Sequence, residues 1–170
     1  FLAGYKTRPF GTISQEEASI TPARLMGDLS EASQRSGYSV HESSIFLVRT
    51  LFGLYAEDAG IWRRFQFTDF IQSRTAGDGS DLGAQLTMLY QVLNQPMDKR
   101  MSNLDEMLLH FPYVNGGVFS EPLSIPAFDK KMRDQLLKAC AFDWSEISPS
   151  IFGSLFQAVK SPEARRELGE

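Results

Sequence analysis

The fold of this chain is decided by residues 41–59, HESSIFLVRTLFGLYAEDA. Apolar side chains between Ile45 and Tyr55 cover almost the whole circumference of the helix that this stretch predicts. A helix that is apolar on all sides has to be buried, because any exposed face would leave apolar surface in water. We therefore interpret residues 41–59 as the central helix of the domain, with Gly60 as the residue that follows its end.

Further helices are indicated on both sides of the central one. Apolar side chains at helical spacing predict helices over residues 67–74, 82–93, 101–110 and 129–141. Capping patterns predict additional helix starts at Ser14 or Thr21, at Ser148 and at Ser161. The predicted fold class is therefore all-α, a compact multi-helix bundle.

One segment interrupts the helical pattern, residues 112–126, PYVNGGVFSEPLSIP. Its Asn-Gly-Gly step lies between Val114 and Val118, and this is the strongest short hairpin signal in the chain. We expect either a short β-hairpin or a tight irregular loop inserted into the bundle near residues 112–126.

Length and charge set the broad class. The 170 residues suit a single domain over residues 1–170, and the net charge of −4 is spread over both halves without a basic stripe. The lone Cys140 predicts a buried thiol in a reducing compartment, and no apolar run approaches the length of a membrane span. We expect a cytoplasmic protein with no membrane partner. Because the chain begins with Phe1, we also expect it to be part of a longer polypeptide.

The sequence predicts no catalytic, cofactor-binding or metal-binding residue. Two histidines, His41 and His110, cannot form a multi-histidine metal site, and the chain has neither an HExxH motif nor a glycine-rich phosphate loop. Glu57-Asp58 stands at the unfavourable end of the central helix dipole, and we expect Arg63 and Arg64 to supply cationic partners there. The alternative interpretation of the two carboxylates is an acid–base pair, which would need a cleft.

Basic doublets mark the candidate contact residues. Trp62, Arg63 and Arg64 form one group and Arg165 with Arg166 the other. Arginines beside aromatic rings can stack on bases or bind phosphate. We therefore predict these five residues as a DNA or interdomain contact surface, the alternative being surface salt bridges on an acidic domain.

An ordered set of segments resembles the MmeI-like family of single-chain type II restriction–modification proteins. The segments are LVRTLFGLYAEDAGIW (47–62), FTDFIQSRTAGDGSDLGAQL (67–86), VLNQP (92–96), FPYVNGGVFSEPL (111–123), FDWSEISPSIFGSLFQAV (142–159) and RRELG (165–169). They cover nearly all of the chain. In that family an N-terminal nuclease module is followed by a helical spacer, an adenine-N6 DNA methyltransferase and a target-recognition domain, and this chain resembles the spacer.

The resemblance implies a function for the longer protein. That protein is expected to be a DNA methyltransferase and endonuclease that uses S-adenosylmethionine and Mg²⁺, with the methyltransferase directly after residue 170. The fragment itself is expected to be non-catalytic, to hold no cofactor, and to position the nuclease relative to the methyltransferase. Its expected partners are those flanking domains and, through the longer protein, DNA in bacterial defence.

Two other function classes remain open on the sequence. One is a stand-alone helical module that binds protein or the DNA backbone through residues 62–65 and the Asn-Gly-Gly loop. The other is a free-standing enzyme built on Glu57-Asp58.

Overall fold

Seven α-helices and two 3-10 turns follow one another along the part of the chain that the computed structural model describes, residues 15–160 for the backbone and 21–160 for side chains. The helices are α1 (Gln15–Arg35), α2 (Val40–Asp58), α3 (Gln66–Arg74), α4 (Leu82–Leu93), α5 (Glu106–Leu109), α6 (Lys130–Ala141) and α7 (Pro149–Lys160). The 3-10 turns span Met97–Lys99 and Trp144–Glu146. No strand occurs within residues 15–160, so the all-α prediction is confirmed.

Helix α2 is central, as its apolar circumference predicts. It contacts α1, α3, α7 and the second 3-10 turn. Its start is fixed by a capping box, in which Ser39 Oγ accepts the Glu42 amide at 3.1 Å and the Glu42 carboxylate accepts the Ser39 amide at 3.1 Å. Its end is followed by Gly60 at φ 81°, a conformation that glycine adopts without strain.

Three phenylalanines of the segment after α5 pack into the hydrophobic core. Phe111, Phe119 and Phe128 are all at least nine-tenths buried. Phe111 lies edge-on to Trp62 with ring centroids 5.1 Å apart, and Phe128 contacts Phe46 at 5.2 Å. Rings in these tilted and edge-on arrangements add to the free energy of burial. The segment is therefore part of the core although it contains no regular structure.

Two alternatives were predicted for residues 112–126, a short β-hairpin or a tight irregular loop, and the structure shows the irregular loop. Gly116 and Gly117 both have positive φ, at 108° and 84°. The carbonyl oxygens of Val118 and Glu121 accept hydrogen bonds from the buried side chain of Arg49 in α2. The Val114 amide donates to the Leu93 carbonyl oxygen at 2.9 Å and not to a partner strand, and the bonds from Arg49 hold the rest of the loop along α2.

The helix predicted over residues 101–110 is wrong in its extent, because only Glu106–Leu109 is helical. Arg100 is buried and donates to the carbonyl oxygens of Gln95, Leu109 and Phe111. Through these bonds the side chain of Arg100, directly before residue 101, holds the carbonyl groups at the other end of the segment. A continuous ten-residue helix would be about 15 Å long and could not connect points held so close together.

Helix α1 begins at Gln15, which agrees with the start predicted at Ser14 and not with the one at Thr21, and it continues through Pro22. Ser14 itself lies outside the described residues, as does the predicted helix start at Ser161. The other helix starts are confirmed: Asp129 and Ser148 accept backbone amides of α6 and α7.

Two glycines let the chain approach itself closely. A methyl group at Gly83 in α4 would overlap the carbonyl oxygen of Pro126, and one at Gly79 would overlap that of Asp129. Gly79 also has a φ of 73°. The residues between α3 and α4 therefore pack backbone to backbone against residues 126–130.

Candidate functional site

The predicted contact residue Trp62 lies inside the core. Its side chain is 4% exposed and contacts Phe52, Phe67 and Phe111. Its indole Nε1 has no hydrogen-bond partner among the described residues. With its ring surrounded by other rings, Trp62 supports the turn between α2 and α3 from beneath and presents no open face on which a base could stack.

Arg63 and Arg64 lie on the surface of that turn. Arg63 Nη2 pairs with Asp69 at 3.2 Å, and Arg63 Nη1 donates to the carbonyl oxygen of Arg64 at 3.0 Å. The guanidinium of Arg64 lies 4.8 Å from the centre of the Phe65 ring. Within the described part of the chain Arg64 makes no ion pair, so its charge is available to a partner.

An open depression adjoins Arg63. It encloses about 520 Å³ and is lined by Ile61, Trp62, Arg63, Gln66, His110 and Pro112. Ile61 is 57% exposed, and His110 ends α5 as its C-terminal cap. The structure thus brings Trp62 and Arg63, two of the predicted contact residues, together with an apolar side chain and a histidine. The second doublet, Arg165 and Arg166, lies outside the described residues.

Glu57 and Asp58 join elements of the fold. The Glu57 carboxylate is buried and accepts the backbone amide of Thr68 at 3.0 Å and its hydroxyl at 2.6 Å. Asp58 accepts the backbone amide of Trp144 at 2.8 Å. The two carboxylates therefore tie the end of α2 to the first turn of α3 and to the second 3-10 turn. Arg63 and Arg64, expected beside them, contact Asp69 and Phe65 instead.

A second cavity of about 300 Å³ lies between α2, α4 and the irregular loop. Arg49 forms part of its wall and is 4% exposed. Its Nε donates to the Val118 carbonyl at 3.0 Å and its Nη2 to the Glu121 carbonyl at 2.6 Å. Burial lowers the pKa of the Arg49 guanidinium, while Tyr90 and Glu121 favour its charged form. An arginine has so high an ordinary pKa that the group stays charged.

The sequence carries a signal for the Arg49 cavity. Arg49 is the basic residue in the middle of an otherwise apolar helix, and a charge at such a position needs partners. What the sequence does not show is which groups supply them, because Val118 and Glu121 lie about 70 residues further along the chain.

Other features of the described residues concern metals and membranes. Within residues 21–160, histidine, cysteine, aspartate and glutamate side chains nowhere form a group of three or more that could hold a metal ion. Cys140, in that same region, is buried at 1% exposure, as the sequence predicts. Among the helices between Gln15 and Lys160, none has the length and apolar character needed to cross a bilayer.

Comparison with known proteins agrees with the all-helical fold described above. Residues 41–119 match the family model described as "MmeI, helicase spacer domain". DNA methyltransferase A of Bacillus subtilis (strain 168) is 40% identical over 127 residues, which are 74% of this chain and 14% of that protein. The solved structure of the type IIL restriction–modification enzyme MmeI in complex with DNA matches 93% of this chain and 20% of that chain, with a TM-score of 0.76 and 45% identity.

The described residues thus form an all-helical spacer domain, and the chain spans only a small part of the relatives it matches. The resemblance noted in the sequence is confirmed: the chain belongs to the MmeI-like family of restriction–modification proteins.

Proposed function

We propose that this domain is the rigid spacer that holds an N-terminal endonuclease at a fixed distance from an adenine-N6 DNA methyltransferase in the same polypeptide. Support comes from the match to the solved MmeI enzyme over 93% of this chain and from the matched share of that enzyme, 20%. In this proposal the remaining length holds the flanking domains, with the methyltransferase following residue 170. S-adenosylmethionine and Mg²⁺ belong to those domains, and the present fragment is non-catalytic.

The observation that carries the proposal is the single core that joins the first described helix to the last. Helix α1 packs on α2, α6 and α7, and α7 packs on α2. The buried side chains of Arg49 and Arg100 hold the irregular segments by their carbonyl groups. A body of this kind holds its ends at a set separation, whereas the ends of a flexible linker fluctuate.

A glycine insertion in the full-length protein tests the spacer role. Two or three glycines placed after Val159, near the end of α7, should spread or shift the position of DNA cleavage relative to the methylated base. Val159 is buried, so residues before the insertion keep their anchor. The cleavage products are mapped at single-nucleotide resolution.

The matched control is the same insertion after Ser102, an exposed loop position within the domain. It lengthens a surface loop without changing the path between the ends of the domain. An unchanged cleavage position with the Val159 insertion would contradict the spacer role. Loss of all cleavage in both variants would indicate unfolding, which circular dichroism detects separately.

We also propose that Arg63 and Arg64 contact DNA or a flanking domain, together with Arg165 and Arg166. What favours this surface is Arg64, which is exposed and forms no ion pair with any other described residue. Replacing Arg63 and Arg64 by Gln should reduce the salt dependence of DNA binding by the full-length protein, by roughly 0.9 in log K per log salt for each lost phosphate contact. The control is Arg24→Gln with Lys131→Gln, which removes the same charge from exposed positions elsewhere. Equal slopes for the two double variants would assign the arginines to an interdomain contact or to the solvated surface.

A further inference from the structure

Arg49 carries a buried positive charge without a carboxylate bound to it. None of the ion pairs among the described residues includes it. Its hydrogen-bond acceptors are two neutral carbonyl groups, and the Phe119 ring lies 5.8 Å from its guanidinium carbon. The carboxylate that acts on it electrostatically, Glu121, pairs at the surface with His41 at 2.9 Å. Buried charges in proteins are usually paired, so the arrangement is incomplete.

Arg49 lines the 300 Å³ cavity and has an unused donor. With Nε and Nη2 engaged, Nη1 has no hydrogen-bond partner in the described part of the chain. Nη1 is not fully buried, so solvent reaches it. Thr87, Gln91, Asn94 and Ser120 contribute hydroxyl and amide groups to the same cavity. These groups can complete the hydrogen bonding of a carboxylate that enters and meets Nη1.

The walls of the cavity combine apolar residues, among them Leu86, Leu123 and Pro126, with Arg49. Arginine is enriched in protein interfaces, and an arginine inside an apolar border is a common binding hot spot. Arg49 is the one base among the described residues that line the cavity, and Glu121, the one acid, pairs with His41. DNA phosphates are bound by several lysines and arginines together, so a single arginine suits a single carboxylate better than the DNA backbone.

We infer that this cavity receives an aspartate or glutamate side chain from a flanking domain of the same polypeptide, which pairs with Arg49 and locks that domain against α4 and the irregular loop. The inference rests on the proposed function for the existence of flanking domains. It adds the place and the chemistry of one interdomain contact, and it explains why a charge is retained in the otherwise apolar central helix.

Photo-cross-linking in the full-length protein tests the inference. Benzoylphenylalanine is placed at Asn94, which is exposed and lines the cavity, and at Ala84 as a control on the same helix away from the cavity. We expect Asn94 to cross-link to a peptide from outside residues 1–170 that contains an aspartate or glutamate, and Ala84 not to do so.

Two further variants separate docking from folding. Arg49→Gln should lower the cross-link yield at least fivefold, but it also releases the loop carbonyls. Gln91→Trp leaves Arg49 intact, obstructs the mouth and should lower the yield similarly, while Ala84→Trp should leave it unchanged. The inference is overturned if the probe at Asn94 gives no cross-link to a peptide outside residues 1–170, which is the result expected when a small free carboxylate occupies the cavity. It is also overturned if Gln91→Trp leaves the cross-link yield unchanged. The cleavage-mapping experiment is independent of this result, so the failure of one proposal is distinguishable from failure of the other.

Discussion

Gly83 offers a sharp test of how the loop packs on the helices. It occupies the second position of α4, where replacement by alanine normally stabilises a helix by roughly 1 kcal/mol. Here the added methyl group would overlap the carbonyl oxygen of Pro126 and approach its ring carbon to 3.0 Å. The obstacle is backbone, and the same stretch is held by the close approach of Asp129 to Gly79 and by the burial of Phe128.

The expected change in the free energy of unfolding follows from these opposing effects. Overpacking against a rigid neighbour destabilises by about 1–3 kcal/mol and outweighs the helix preference where the neighbour cannot move. We expect Gly83→Ala to lower the free energy of unfolding by about 2 kcal/mol. Gly27→Ala and Gly153→Ala are matched controls, because both glycines lie within helices and an added methyl group meets nothing within 4 Å. These two should raise the free energy of unfolding by up to about 1 kcal/mol each.

Urea denaturation of the 170-residue chain, followed by circular dichroism, measures all three variants. The midpoint should fall for Gly83→Ala and rise for the controls, with the slope of the transition unchanged, since the slope reports the surface exposed on unfolding. A Gly83→Ala protein as stable as the unmodified chain would refute the backbone contact between α4 and residue 126. The burial of Phe128 would then need a different explanation from this contact.

Two predictions concern carboxylates. Glu57→Gln should destabilise the chain by about 1–3 kcal/mol, because Thr68 loses a charged acceptor inside the core; Glu31→Gln, at an exposed position of α1, should change stability by less than about 0.5 kcal/mol in the same urea assay. Equal effects would contradict the buried bond. Asp105 has its pKa lowered from 3.8, first by its hydrogen bond to Arg74. Its stabilising effect is therefore complete above the unfolded pKa and is lost as pH falls through the folded one. The difference in stability between the unmodified chain and Asp105→Asn should shrink below pH 3.8, and a constant difference down to pH 2 would argue against the ion pair.

Local structure was largely predictable because its causes lie within a few residues. The apolar circumference of α2, the glycine after it and the caps of α6 and α7 are properties of neighbouring residues, and the structure confirms each of them. In the turn before α4, Asp78 and Asp81 likewise accept backbone amides that are only a few residues away.

Predictions failed or stayed open where a distant side chain competes for the backbone. Residues 101–110 have the apolar spacing of a helix, yet the side chain of Arg100, directly before the segment, binds the Leu109 and Phe111 carbonyl groups at its other end. Glu57 was expected to pair with Arg63 or Arg64. Its carboxylate instead accepts hydrogen bonds from the amide and the hydroxyl of Thr68. Trp62 was predicted as a surface contact, but its burial depends on rings that lie up to 49 positions away in the sequence.

The sequence by itself determined that this protein is helical, where its main helix lies, and to which family it belongs, because periodicity, capping and residue order are written along the chain. The tertiary structure decided the course of the loop between α5 and α6 and the surroundings of Arg49. It did so because those features depend on carbonyl groups and rings brought together from distant positions, and their partners exist only once the core has closed around α2.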